Sequence, residues 1–157
     1  MSEVTENSLA PDFNLPRDGG ETVQLSEYKG KKVVLFFYPK DDTKGCTVEA
    51  IDFTQNLADF DAAGAVVIGM SPDPVKKHDK FIDKHDLKVI LASDEEKTTL
   101  EAYNVWKEKS MYGKKYMGVE RSTFVIDENG IVTHAWRKVK IPGHVDAVLD
   151  AVQSLNS

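Results

Sequence analysis

The stretch from Lys32 to Phe37 constrains the fold of this chain more than any other part of its sequence. It reads Lys-Val-Val-Leu-Phe-Phe, a run of β-branched, aliphatic and aromatic residues after a single lysine. Such a run predicts a strand that is buried on both faces, as in the centre of a sheet with structure layered on either side. A loop rich in Pro, Asp, Thr and Gly follows, from Pro39 to Gly45. We therefore expect a covered central sheet.

The rest of the chain alternates between strand and helix patterns. Apolar residues at helical spacing follow Cys46 and predict a helix, which ends at Gly64. Asp73-Pro74 is typical of a helix N-cap followed by proline in the first turn. The further predicted elements are strands at 65–70 and 88–91, helices at about 74–85 and 95–103, a hairpin with strands at 122–126 and 131–136, and a C-terminal helix around 145–152.

This order of elements predicts one α/β domain over residues 1–157, with a central mixed sheet flanked by helices. It fits a thioredoxin-like topology with an N-terminal extension, although the pattern alone does not select that topology over other α/β folds. We expect residues 1–8 to form a flexible tail.

Composition excludes several classes of function. The formal net charge is −6 with a pI near 5.2, which argues against a nucleic-acid partner. No stretch approaches the roughly 18 apolar residues of a membrane helix. Residues 1–10 lack the basic start and apolar centre of a signal peptide. The single cysteine rules out an internal disulfide and suits a reducing compartment, so we expect a cytoplasmic protein.

The single cysteine, Cys46, is predicted to lie in the first turn of a helix. A lone cysteine is more often an inert, buried side chain. A helix N-terminus, however, offers unpaired N–H groups and a partial positive charge, which favour the thiolate over the thiol. Because the thiolate is the nucleophile, this position prepares Cys46 for attack.

Two neighbours of Cys46 strengthen this interpretation. The Thr43 hydroxyl can both donate and accept hydrogen bonds. Pro39 has a rigid ring and no N–H, so it can wall off a pocket and limit solvation of the thiolate. Without the cysteine at this spacing, Thr43 would be better explained as a helix-capping or turn residue and Pro39 as a simple loop former. The Pro-x-x-x-Thr-x-x-Cys spacing resembles the active-site signature of the peroxiredoxins.

The resemblance covers most of the chain. It rests on Ala10-Pro11-Asp12-Phe13, residues 37–43, Gly45-Cys46-Thr47, residues 106–113, Tyr116-Met117-Gly118 and residues 121–127. These strings are similar to the bacterioferritin-comigratory-protein, or PrxQ, branch of the peroxiredoxins. The resemblance implies a thioredoxin fold and an antioxidant enzyme that reduces hydrogen peroxide and organic hydroperoxides through a sulfenic acid on Cys46.

The resemblance also implies roles for two charged residues. In this family the arginine at the position of Arg121 reaches the thiolate and the peroxide, where its fixed charge stabilises negative charge as the O–O bond breaks. The acidic residue at the position of Glu49 helps to hold that arginine. By residue type alone, Arg121 is a surface residue at a strand end and Glu49 a solvated helix carboxylate.

The chain departs from its family in having no second cysteine. Many members of this branch carry a resolving cysteine five residues after the first, where this chain has Ile51, and others carry it near residues 81–83. An isoleucine here looks natural rather than like the usual serine or alanine replacement of an engineered chain. We expect recycling by an external thiol, which is thioredoxin, glutaredoxin with glutathione, or a small thiol. The branch implies a monomer or weak homodimer.

Other candidate features carry less weight. The four histidines form no ligand-spaced cluster, so we expect no metal and no cofactor. The lysine-rich stretch 107–115 is expected to be a solvated loop, although it could steer an acidic partner. Two other functions compete with a peroxidase: a redox sensor that forms mixed disulfides with client proteins, and a binding or chaperone module without catalysis.

Overall fold

The computed structural model describes residues 4–156. The strands are β1 (Asn14–Pro16), β2 (Thr22–Gln24), β3 (Lys32–Phe37), β4 (Ala65–Ser71), β5 (Ile90–Ser93), β6 (Trp106–Met111), β7 (Lys114–Val119), β8 (Ser122–Ile126) and β9 (Val132–Trp136). The helices are α1 (Lys44–Gln55), α2 (Leu57–Ala62), α3 (Val75–His85), α4 (Thr98–Ala102) and α5 (His144–Ser154), with short 3-10 turns at Asp18–Gly20 and Leu25–Tyr28.

A five-stranded mixed sheet in the order β5-β4-β3-β8-β9 forms the centre of the fold. Strand β3 runs parallel to β4, with Lys32 opposite Ala65, and antiparallel to β8, with Phe37 opposite Ser122. All six residues of β3 are buried, as its unbroken apolar run predicts. The predicted fold class, a central mixed sheet flanked by helices, is confirmed.

The two faces of β3 support two separate cores. Val34 and Phe36 pack on one face with side chains of α1, α2, α3 and α5, including Phe53 and Phe81. Leu35 and Phe37 pack on the other face with the N-terminal segment, the region of α4 and Tyr103. Because neighbouring strand residues point to opposite faces, an all-apolar strand feeds both cores.

The stretch 107–115, expected to be a loop, forms most of a β-hairpin made of β6 and β7. Its turn residues Tyr112 and Gly113 both have positive φ, at 52° and 78°, as a tight two-residue hairpin turn requires. Most of its side chains are exposed or half-buried, so the sequence carries no apolar alternation that would have revealed the strands.

Two helix boundaries in the structure also differ from those predicted from the sequence. The helix that begins near Cys46 breaks at Asn56 and continues as α2, before ending ahead of Gly64. The N-cap position of α3 is Pro74 rather than Asp73. The Asp73 carboxylate instead accepts hydrogen bonds from the Asp41 backbone and the Ser71 hydroxyl.

The segment predicted as an N-terminal tail makes specific contacts from residue 4 onwards. Val4 is buried, and its N–H donates to Asn104 Oδ1 at 2.8 Å. The Asn7 N–H donates to the Val132 carbonyl at 2.7 Å, which ties the segment to β9. Residues 1–3 of that predicted tail lie outside the described residues. Among residues 4–156, the structure contains no helix with the length and apolar character needed to cross a membrane.

Candidate active site

Cys46 is the third residue of α1 and lies in its first turn, as the sequence predicts. The residue before the helix, Thr43, has extended backbone angles (φ −87°, ψ 158°) and serves as the N-cap position. The Cys46 side chain is a free thiol and is only 1 % exposed. The sulfur is thus placed near the unpaired N–H groups of the helix start and is shielded from bulk water.

Arg121 immediately precedes β8, the antiparallel neighbour of β3, so the sheet carries it to the start of α1. Its Nη2 donates to Cys46 Sγ at 3.3 Å, and its Nη1 donates to Glu49 Oε1 at 2.6 Å. One planar guanidinium therefore joins two side chains that lie one helical turn apart. Arg121 is therefore not simply a surface residue at a strand end, and Glu49 is not a solvated helix carboxylate, although residue type alone suggests both.

Glu49 is fully buried, which has a clear electrostatic consequence. Burial raises its pKa to about 7, against the lowering effect of the Arg121 charge and hydrogen bond. Its second oxygen, Oε2, has no hydrogen-bond partner among the described residues. For Arg121, burial lowers the pKa, but the charges of Glu49 and Cys46 outweigh it and raise the pKa overall. The arginine therefore stays charged beside the sulfur.

Pro39 and Thr43 lie on the segment between β3 and α1, which we call the active-site loop (residues 38–43). Pro39 is half-buried, and Thr43 is exposed. The Thr43 hydroxyl donates to the Lys40 carbonyl at 2.9 Å, so its lone pairs remain able to accept a hydrogen bond. The structure thus joins Cys46, Arg121 and Glu49 by direct contacts and places Thr43 and Pro39 on the loop that leads into them.

Gly45 has a role that the sequence pattern did not reveal. A Cβ at this position would lie 3.1 Å from Ile141 Cδ1 and 3.3 Å from Arg121 Nη2, both tighter than normal contacts. The absence of a side chain therefore allows Arg121 to approach the helix start. The only sequence signal was a glycine directly before the cysteine.

Two further polar groups near the site also escaped the sequence reading. His144 Nε2 lies 2.8 Å from Thr123 Oγ1, and burial together with the Arg121 charge lowers the pKa of His144 to about 4. Lys109 of β6 is half-buried, and burial and the Arg121 charge lower its pKa, while the Cys46 charge opposes this effect. Hairpin β6–β7 therefore lies beside the site.

The aromatic and methionine residues of this hairpin contribute exposed apolar surface. Tyr112 is 98 % exposed, and Met117 and Tyr116 are about half exposed. Within residues 4–156, no group of three or more His, Cys, Asp or Glu side chains is arranged to hold a metal ion.

Comparison with known proteins shows the family of the chain. Residues 7–135 match the model of the AhpC/TSA family. The chain is 51 % identical to peroxiredoxin Bcp of Bacillus subtilis over 94 % of both chains, and 47 % identical to peroxiredoxin Bcp of Xanthomonas campestris over 98 % of both.

Solved structures are equally similar. A variant of Xylella fastidiosa PrxQ superposes with a TM-score of 0.94 at 35 % identity over the full length of both chains. The bacterioferritin comigratory protein of Xanthomonas campestris, studied for its alkyl peroxide reduction activity, superposes with a TM-score of 0.88 at 45 % identity over 92 % of both. Structures of peroxiredoxin Q from that organism include serine variants at two different cysteines, whereas this sequence has one cysteine. The chain belongs to the AhpC/TSA family, in its Bcp/PrxQ peroxiredoxin branch, as a one-cysteine member.

Proposed function

We propose that this chain is a thiol-dependent peroxidase in which Cys46 attacks the peroxide and an external thiol restores it. The observation that carries the proposal is the contact between Arg121 Nη2 and Cys46 Sγ at 3.3 Å. This fixed positive charge lies where negative charge develops as the sulfur attacks the peroxide. A buried structural cysteine would have no use for such a partner.

In the first step, the Cys46 thiolate attacks one peroxide oxygen. The S–O bond forms as the O–O bond breaks, and the leaving oxygen departs as an alkoxide or hydroxide that takes up a proton. The sulfur is oxidised to a sulfenic acid and the peroxide is reduced to an alcohol or water. Arg121 stabilises the developing charge, Glu49 holds Arg121, the Thr43 oxygen accepts the peroxide proton in a hydrogen bond, and Pro39 shields the pocket.

In the second step, an external thiol attacks the sulfenic sulfur and releases water. A second thiol then breaks the mixed disulfide and frees Cys46. The lone cysteine supports this route, because the chain offers no internal thiol. The reductants that fit are thioredoxin, glutaredoxin with glutathione, or a small thiol. We place the reaction in the cytoplasm, a reducing compartment that suits a one-cysteine chain, and expect a monomer or weak homodimer.

Steady-state peroxide consumption tests this function. Wild-type protein should consume many equivalents of hydrogen peroxide or an organic hydroperoxide with at least one of thioredoxin, glutaredoxin plus glutathione, or dithiothreitol. Cys46→Ser should abolish consumption, whereas Val48→Ala, which changes an exposed neighbour on the same helix, should not. Activity that survives in Cys46→Ser would overturn the proposal.

The same assay separates a peroxidase from a redox sensor. A sensor would stall after one equivalent of peroxide with every reductant, and its oxidised Cys46 would accumulate as mixed disulfides with client proteins. Multiple turnovers with any of the three thiols would exclude a redox sensor. A binding or chaperone module would consume no peroxide at all.

A further inference from the structure

A buried histidine on α3 makes contacts that define where its protons are. His78 is fully buried, and its Nε2 lies 2.9 Å from the carbonyl oxygen of Ala92 in β5. Since a carbonyl oxygen only accepts, Nε2 carries a hydrogen. Its Nδ1 lies 2.6 Å from Asp41 Oδ2, so this nitrogen and the carboxyl oxygen share a proton. Both ring nitrogens are thus committed, one to the sheet and one to Asp41.

Asp41 belongs to the active-site loop and is held from several sides. Its Oδ1 accepts from the Tyr38 hydroxyl at 2.6 Å, and its backbone N–H donates to Asp73 Oδ2 at 2.8 Å. Asp73 is itself fixed by the Ser71 hydroxyl at 2.8 Å, at the end of β4. The buried Asp41 carboxylate therefore anchors the loop to α3 and to the sheet.

A second polar contact between the loop and α3 lies at the surface. The next residue, Asp42, has a positive φ of 61°, which a non-glycine residue adopts only at a cost. The Asp42 side chain binds Lys84 and His85 of α3, but this outer contact is exposed to water and screened. The contact between Asp41 and His78 is shielded from solvent, so it should hold the loop on α3 more strongly than the contact of Asp42 with Lys84 and His85.

We propose that His78 is a positioning residue for the peroxidase. Through Asp41 it holds the active-site loop, and thereby sets the place of Thr43 relative to the Cys46 sulfur. His78 does not touch the peroxide. This inference rests on the proposed function, because it assigns the loop a role in binding and orienting the peroxide. Small displacements of such positioning elements cost large factors in rate.

Two substitutions at His78 separate the two contacts. In His78→Gln the amide nitrogen replaces Nε2, which keeps the bond to Ala92 and loses the one to Asp41. In His78→Asn the amide nitrogen replaces Nδ1, which keeps Asp41 and loses Ala92. Each variant gives up one buried hydrogen bond, and denaturant unfolding measures how much stability each one loses, so that a loss of stability can be separated from a loss of rate.

The measured quantity is the second-order rate constant of Cys46 oxidation by hydrogen peroxide in a single turnover, which needs no reductant. We expect His78→Gln to lose about tenfold or more and His78→Asn to stay within about threefold of wild type. Equal rate constants in the two variants would overturn the positioning role, because a purely structural histidine would treat both losses alike.

A second pair probes the same link from the loop, should either histidine variant fail to fold. Asp41→Asn can still accept from Tyr38 and donate to His78 Nδ1, whereas Asp41→Ala can do neither. We expect Asp41→Ala to lose about tenfold and Asp41→Asn to retain most of the rate. Equal rates in this pair would also overturn the inference. Failure of the proposed function is distinct, since wild-type Cys46 would then not react with peroxide.

Discussion

At the scale of single residues, the main feature of the site is one cation, Arg121, that lies between two buried acidic side chains, Cys46 and Glu49. Arg121 contacts both Cys46 and Glu49, and each of these is almost completely removed from water. A single guanidinium cannot fully compensate two anions in a low-dielectric site. Burial raises the pKa of Glu49 to about 7, so its neutral form is favoured below neutral pH. The Arg121 charge is then available to the sulfur.

This arrangement predicts a pH dependence of stability. Since the pKa of Glu49 rises from its ordinary value of 4.5 to about 7, the native state binds more protons than the unfolded state between these values. The free energy of unfolding should therefore fall as the pH rises through this window, by on the order of 3 kcal/mol from this group. Glu49→Gln should lack this loss, so its stability relative to wild type should increase from pH 5 to pH 8.

Denaturant unfolding at several pH values measures the difference. Glu95→Gln, which replaces an exposed carboxylate, is the control and should follow the wild-type profile closely. Parallel profiles for wild type and Glu49→Gln would contradict the assignment of a raised pKa to Glu49.

At the scale of elements, the start of α1 is where backbone and site chemistry meet. Sequence periodicity predicted the helix and placed Cys46 in its first turn, because apolar spacing is a local property. The same local reasoning missed hairpin β6–β7, whose side chains lie largely in water. It also gave Asp73 a capping role, whereas the fold uses Asp73 to hold Asp41. Local pattern is therefore reliable where one face is buried and fails where long-range contacts decide.

The substitution Gly45→Ala tests the close approach at this helix start. Alanine is the better helix former, so stability should not fall by much. The new Cβ would press on Arg121 Nη2 and Ile141 Cδ1, and should move the guanidinium away from the sulfur. We expect the rate constant with peroxide to fall on the order of tenfold. An unchanged rate constant would show that the site tolerates the added carbon, and Val48→Ala on the same helix serves as the matched control.

At the scale of the whole molecule, the lone cysteine separates the two halves of the catalytic cycle. The chain supplies the residues proposed to attack peroxide, but its sequence contains no second thiol to resolve the sulfenic acid. Cys46 is also only 1 % exposed, so the reductant must reach a buried residue. The rate of recovery thus depends on another molecule, and the oxidised form persists whenever that molecule is scarce.

This dependence predicts over-oxidation. After excess peroxide without reductant, mass spectrometry should find Cys46 carrying two or three added oxygen atoms, and added thiol should prevent this. Ile51→Cys provides the comparison, since it adds a thiol five residues further along α1. The helical rise over five residues is roughly 7.5 Å, beyond the roughly 7 Å reach of a disulfide, so the first turn would have to open. Cys46 that stops at the sulfenic acid in wild type would contradict the prediction.

The sequence by itself determined the double-faced central strand, the helix that begins near Cys46 and the one thiol that we propose to react with peroxide. These follow from local apolar spacing and from there being one cysteine. Only the tertiary structure decided that Arg121 lies at the sulfur, that Glu49 is buried against it and that Asp41 meets His78. Those partners are 75, 72 and 37 residues apart in the chain, and packing of β8 on β3 and of α3 beside the sheet brings them together. The thiol and its place in a helix follow from local sequence, whereas the charged groups around it are brought together only by the tertiary fold.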